Sequence, residues 1–142
     1  MNYNAFTQKS AVFRGILFAA VVAVMAAGPA SSGQERLATF AKDSFARFGL
    51  SPMPRLRIVK ADSDDLERGE IARAVLFESG KEEVRVAVGL LNDRRLQGAL
   101  DHESAHLRTW REHGPNVEIH GPEFRRICRR YALDPSSCDT HM

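Results

Sequence analysis

The segment His102-Glu103-Ser104-Ala105-His106 places two histidines four residues apart, with a glutamate directly after the first. On an α-helix, residues i and i+4 share a face, so both imidazoles can bind one metal ion. Histidine nitrogens bind Zn²⁺ at about 2.0 to 2.1 Å. Glu103 lies beside the pair, where its carboxylate can take a proton from a zinc-activated water. The pattern therefore predicts a helical zinc site with its own general base.

The surrounding sequence predicts a long helix that carries this segment. It can be capped by Asn92 or Asp93 and extends to about His113, where a Gly-Pro pair ends it. Its apolar residues recur at helical spacing and predict the side that faces the core: Leu96, Leu100, Leu107 and Trp110. This leaves the two histidines on a flank where packing gives no reason for imidazoles. A purely structural histidine pair is therefore the weaker interpretation.

The rest of the chain predicts a small α+β domain. Apolar spacing indicates a first helix over 35–48 and a last helix that begins at Gly121-Pro122 and ends near 134. Short apolar or alternating runs predict three strands: 56–59, 71–77 and 84–88. The turn at Gly80 joins the last two strands in a hairpin. The order helix, three strands, helix, helix predicts a metal-binding helix packed on a short, mostly antiparallel sheet.

Residues 1–30 have the layout of a secretory signal peptide. Lys9 and Arg14 precede an uncharged apolar run at 15–27, and small residues follow. This run of about 13 residues is shorter than the roughly 20 that cross a bilayer as a helix. We therefore expect an exported protein, periplasmic or secreted, with a single mature domain over 31–142. It would attach to a membrane only through an uncleaved N-terminal segment.

The charge of the domain indicates which partners to expect, and its cysteine content indicates a disulfide. Of the 20 Lys and Arg residues, two lie in 1–30, whereas none of the 18 Asp and Glu residues does, which leaves a formally neutral domain. We therefore expect no nucleic-acid partner. Cys128 and Cys138 are the two cysteines, and in an exported protein they predict a disulfide. Closing a loop of about ten residues stabilises a fold by roughly 2 to 3 kcal/mol in the chain-entropy account.

A linker of thirteen residues separates the HExxH segment from His120-Gly121-Pro122-Glu123-Phe124. The two segments in this order resemble the SprT-like metallopeptidase family, in which HExxH is followed by an HGPEF-type segment whose histidine is the third zinc ligand. The resemblance implies a minimal zincin-like fold and hydrolysis of peptide bonds. The zinc ligands that it implies are His102, His106 and His120. The general base that it implies is Glu103.

The chain departs from the family pattern in two places. Asp101 precedes the HExxH segment where the family usually has an apolar residue, and the cysteine-rich zinc ribbon of many members does not follow the domain. The substrates of members that act on DNA-bound proteins are therefore not carried over. The expected partner is a peptide or protein substrate, paired with an exposed strand edge over 71–77 or 84–88.

Two other functions fit the same residues. Glu123, three residues beyond His120, is a candidate third ligand of a gluzincin peptidase of the M48-like type. A non-catalytic, exported zinc-binding interaction module would need a fourth protein ligand, for which His113 is the nearby candidate. If the protein is an enzyme, the sequence leaves three candidates for stabilising the oxyanion: Tyr131, Arg111 and His113.

Overall fold

The computed structural model describes residues 32–139, so the expected signal peptide at 1–30 lies outside the described residues. The helices are α1 (Ser32–Arg47), α2 (Leu96–His113), α3 (Pro122–Arg130) and α4 (Pro135–Asp139). The strands are β1 (Arg55–Val59), β2 (Ala72–Leu76) and β3 (Glu82–Ala87), and a 3₁₀ turn follows at Val88–Leu90. In this part of the chain, no helix is both long and apolar enough to cross a membrane. The predicted α+β class is confirmed.

The sheet has the strand order β1-β3-β2, with β3 in the middle. β2 and β3 form the predicted antiparallel hairpin, and Gly80 turns it with a positive φ of 77°. β1 pairs with β3 in parallel, from Arg55 opposite Glu83 to Val59 opposite Ala87. The sheet is therefore mixed, where we expected a mostly antiparallel one. The sequence predicts the hairpin, but it does not reveal that the second hairpin strand lies between the other two.

The core lies between the sheet and the helices. Val84 and Val86 of β3 are fully buried, and their partners across the hairpin are the small residues Ala74 and Ala72. α2 packs against β2, where these alanines allow the helix to approach closely. α1 packs on another side of α2 through its buried apolar residues: Leu37, Ala41 and Phe45.

Local interactions at Asp93 and Gly114 determine where α2 begins and ends. The helix begins at Leu96, a few residues later than the predicted cap at Asn92 or Asp93. The carboxylate of Asp93 instead accepts a bond from the backbone N–H of Arg95 (2.8 Å) and pairs with its guanidinium (2.9 Å), which stabilises a turn before the helix. The predicted end at His113 is confirmed, and Gly114 leaves the helix with a φ of 84°.

The chain after α3 differs from the sequence prediction. α3 ends at Arg130 rather than near 134, because Ala132 adopts a positive φ of 51° and the backbone N–H of Leu133 turns back to the Cys128 carbonyl (3.0 Å). The short helix α4 follows, which the sequence did not indicate. The structure pairs Cys128 of α3 with Cys138 of α4 as a disulfide, and both side chains are buried.

A pair of buried serines joins α1 to α2. Ser104 donates its hydroxyl to the Leu100 carbonyl (2.7 Å), so Ser44 donates to the Ser104 oxygen at 2.7 Å. Removing Ser104 leaves the Ser44 hydroxyl buried without this acceptor, whereas removing Ser44 deletes a donor only.

We expect Ser104→Ala to lower the free energy of unfolding by about 1 to 3 kcal/mol and Ser44→Ala by about 0.5 to 1 kcal/mol. Because the orphaned hydroxyl disappears in the double variant, that variant should be no less stable than Ser104→Ala alone. Urea unfolding of the four proteins measures this cycle. Strictly additive losses would show that the two hydroxyls do not interact.

Candidate metal centre

The HExxH segment lies on α2 in the position that helical spacing predicts. His102, Glu103 and His106 are all buried, with exposed fractions of 2%, 6% and 6%. The sequence places the two histidines on a flank of α2, and in the structure this flank is covered. α3 folds back against α2, so the ring of Phe124 lies 4.2 Å from the His106 ring centroid and 5.1 Å from that of His102.

His120 joins the pair from the loop between α2 and α3. Its Nε2 atom lies 3.3 Å from His102 Nε2 and 3.2 Å from His106 Nε2, which are themselves 3.0 Å apart. The loop turns sharply at Gly121, where a Cβ atom would lie 2.7 Å from the Glu118 side chain. Pro122 then begins α3, where a missing N–H costs no helical hydrogen bond.

This arrangement fits a zinc ion. Three nitrogens at about 2.05 Å from a tetrahedrally coordinated ion would lie about 3.3 Å from one another, close to the observed triangle. His102 Nδ1 lies 2.5 Å from the Ser137 carbonyl oxygen, which can only accept, so Nδ1 carries the proton and donates it. In the neutral ring Nε2 then presents a lone pair towards the other two imidazoles, as a metal ligand must.

Glu103 lies next to the histidines but takes a different partner. Its Oε2 accepts a hydrogen bond of 2.6 Å from the backbone N–H of Ala74, on the edge strand β2. Burial raises the pKa of Glu103 to about 8, an effect that the Ala74 hydrogen bond opposes and the nearby Glu70 charge reinforces. A cation held by the three histidines would favour the carboxylate and lower this pKa.

A cavity of about 560 Å³ opens over the three histidines and Glu103. One wall is β2, which contributes Ala72 and Ala74, together with the segment 67–70. Arg73 at this wall pairs with Glu70 (2.6 Å) and Glu67 (3.0 Å). Trp110 and Ile119 also line the cavity, and Ile119 is 56% exposed. The candidate centre is therefore accessible from one side although its side chains are largely buried.

The other residues that the sequence suggested lie elsewhere. Glu123 pairs with Arg126 of its own helix (2.8 Å), and His113 Nε2 lies 3.7 Å from Glu112 at the end of α2. The guanidinium of Arg111 binds the Glu82 carboxylate and the carbonyls of Ser51 and Pro52.

Tyr131 stacks on Phe48 with ring centroids 4.3 Å apart. Asp101, the polar residue before the HExxH segment, pairs with Arg47 of α1 (3.1 Å). Its charge is therefore matched at the contact between the two helices. None of these side chains is among those that line the cavity.

Sequence reasoning missed the Ala74 N–H, the Ser137 carbonyl and the apolar wall formed by Trp110 and Ile119. The first two are backbone groups, which every residue carries and which leave no mark in the sequence. Trp110 was assigned to the core side of α2, and it does contact the core while also reaching the cavity. The signal that could have placed it is its spacing of four residues from His106, on whose ring it stacks.

The comparisons with known proteins give one match. The sequence model of the SprT-like family matches residues 35–140, about three quarters of the chain. No curated protein and no solved structure matches the chain. The matched region contains every residue of the candidate centre, from the edge strand β2 to Ser137. The chain belongs to the SprT-like family.

Proposed function

We propose that this protein is a zinc-dependent endopeptidase, with Glu103 as its general base. The zinc ligands are His102, His106 and His120. The observation that carries the proposal is the convergence of three imidazole nitrogens within 3.3 Å of one another, beside a buried carboxylate and under an open cavity. Family membership supports it independently.

The open side of the centre favours catalysis over a purely structural zinc site. A structural site closes with a fourth protein ligand, whereas a catalytic site keeps one position for water or substrate. Within residues 32–139, three histidines lie together here. Glu123 pairs with Arg126 instead, and His113 lies near Glu112. The non-catalytic binding module and the gluzincin alternative are thus less well supported.

When bound here, a zinc ion would polarise the scissile carbonyl and make water more acidic. Glu103 accepts the proton of the attacking water and returns it to the leaving amine. The Ala74 N–H fixes Oε2 of this carboxylate, so that Oε1 exchanges the proton. Burial raises the pKa of Glu103 and a bound cation would lower it, so the two effects on this carboxylate oppose each other.

The outer edge of β2 supports binding of an extended peptide. Ile71 and Phe77 direct their backbone groups to β3, while Ala74 directs its N–H away from β3. Because strand residues alternate, the backbone of Ala72 also faces away from β3, at the wall of the cavity. β3 is the middle strand, so the alternative edge over 84–88 is excluded. We propose that unfolded polypeptides pair with β2 and that specificity is broad.

We also propose that the protein is exported and that residues 1–30 are its signal peptide. The charge pattern and the short apolar run of this segment support the proposal. Cell fractionation, followed by N-terminal sequencing of the purified protein, tests it.

Glu103→Gln should keep about one zinc per chain and a folded domain but lose nearly all peptide hydrolysis. The glutamine amide cannot accept the proton of the attacking water, whereas the three imidazoles are unchanged. Metal analysis and a casein cleavage assay measure the two properties. Glu112→Gln, on the same helix but paired with Arg108 and Arg130 outside the cavity, is the matched control and should stay active. Hydrolysis by Glu103→Gln at the wild-type rate would contradict the mechanism.

His120→Ala should weaken zinc binding by a large factor and abolish activity, because it removes one of three ligands. Glu123→Ala should keep zinc and most of the rate, since Glu123 contacts Arg126 instead. Competition with a chromophoric chelator measures the zinc affinity of both variants. Zinc lost on Glu123→Ala and kept on His120→Ala would replace the proposed ligand set with the gluzincin one.

Ala72→Pro should raise KM for an unfolded substrate about tenfold or more while leaving zinc bound. Proline removes an N–H that faces the substrate edge and spares the hydrogen bonds to β3. Ala72→Ser keeps the N–H and is the control, expected to have a KM near that of the wild type. Equal KM values for wild type and Ala72→Pro would exclude this edge as the peptide site.

A further inference from the structure

The metal centre depends on a residue near the end of the described chain. His102 Nδ1–H donates to the carbonyl of Ser137, which lies 35 residues further along the chain, in α4. A hydrogen bond at the second ring nitrogen fixes both the tautomer and the orientation of a metal-binding imidazole. The position of the α4 backbone therefore decides whether His102 presents its Nε2 lone pair correctly.

α4 has little stability of its own. It spans only Pro135–Asp139, and isolated helices of this length do not form in water. Asp134 accepts bonds from the backbone N–H and hydroxyl of Ser136, at 2.8 and 2.6 Å, and from the N–H of Ser137 at 3.0 Å. These bonds shape the first turn, but they lie within 134–137 and do not join it to the rest of the domain.

Besides the main chain itself, the disulfide links α4 covalently to the rest of the domain. Cys138, directly after Ser137, bonds to Cys128 in the last turn of α3, and both cysteines are buried in the main core cluster. At the start of α3, Phe124 packs on all three imidazoles, with ring centroids 4.2 to 5.1 Å apart. The disulfide therefore joins α3, which packs on the histidines, to α4, whose backbone orients His102.

We propose that the Cys128–Cys138 disulfide is a positioning element of the metal centre. It holds the Ser137 carbonyl against His102 Nδ1 and so sets the ring for metal binding. This role rests on the proposed function only in taking His102 as a zinc ligand. It goes beyond the usual stabilising effect of a disulfide, because it ties metal affinity to a covalent bond that contains no metal ligand.

The test compares the zinc affinity of the oxidised wild type with that of the double variant Cys128→Ala/Cys138→Ala, using a chromophoric chelator as competitor. We expect the double variant to bind zinc about 10 to 100 times more weakly, the range typical when the hydrogen-bond partner of a metal ligand is lost. Leu37→Ala, a buried change in α1, is the matched control for general destabilisation. It should lower the melting temperature comparably and change zinc affinity less than threefold.

A spectroscopic readout follows the ring itself. Nitrogen-15 NMR of the metal-free wild type should show His102 with its proton on Nδ1, and the double alanine variant should show a mixture of tautomers.

Three results would overturn the proposal. Two free thiols in the purified, non-reduced protein would remove the bond itself. Zinc affinity of the double variant within threefold of the wild type would remove its effect on the centre. An equal loss of affinity in Leu37→Ala would show that general stability, rather than the position of Ser137, is responsible. A wild type that binds zinc but cleaves no peptide would refute the proposed function alone, since these readouts do not use hydrolysis.

Discussion

The packing of Phe124 against three imidazoles is the contact on which the candidate centre depends. Its ring is fully buried and lies 4.2 to 5.1 Å from the ring centroids of His102, His106 and His120. To make this contact, α3 must fold back onto α2, which requires the sharp turn at Gly121. The histidines are thus ordered when the domain folds, so the conformational entropy of arranging them is not lost again on metal binding.

α2 is surrounded by protein on most sides, so polar side chains of this helix are buried together with its apolar ones. Ten of its eighteen residues are buried, and they include two histidines and Glu103 as well as the leucines of the core. A buried carboxylate is costly unless it is hydrogen-bonded. The edge strand provides that bond through the Ala74 N–H, and burial still raises the pKa of Glu103. The same desolvation that weakens the fold thereby raises the proton affinity of Glu103 in the metal-free domain.

Apolar periodicity and sequence motifs predicted those parts of the protein that are determined by the types of side chain in the sequence. α1 and α2 were placed to within a few residues, and His102, Glu103, His106 and His120 were brought together as expected. The sequence did not predict the strand order, the helix α4 or the packing of α3 on the histidines. These depend on which backbone groups meet through space: Ala74 N–H with Glu103, Ser137 carbonyl with His102, and β3 between β1 and β2. No residue type marks such encounters, because every peptide unit offers the same groups.

The order of the strands decides what the cavity can accept. With β3 in the middle, the strand beside α2 is β2, whose alanines are small enough to leave room next to the histidines. Had β3 lain at that edge, Val84 and Val86 would have stood there instead. β3 also carries the buried Glu83, which pairs with Arg85 at 2.9 Å on the sheet face away from the core. In the middle position, both valines of β3 are buried in the core and Glu83 is buried with its ion-pair partner close by. The strand with an open backbone edge beside α2 is then β2.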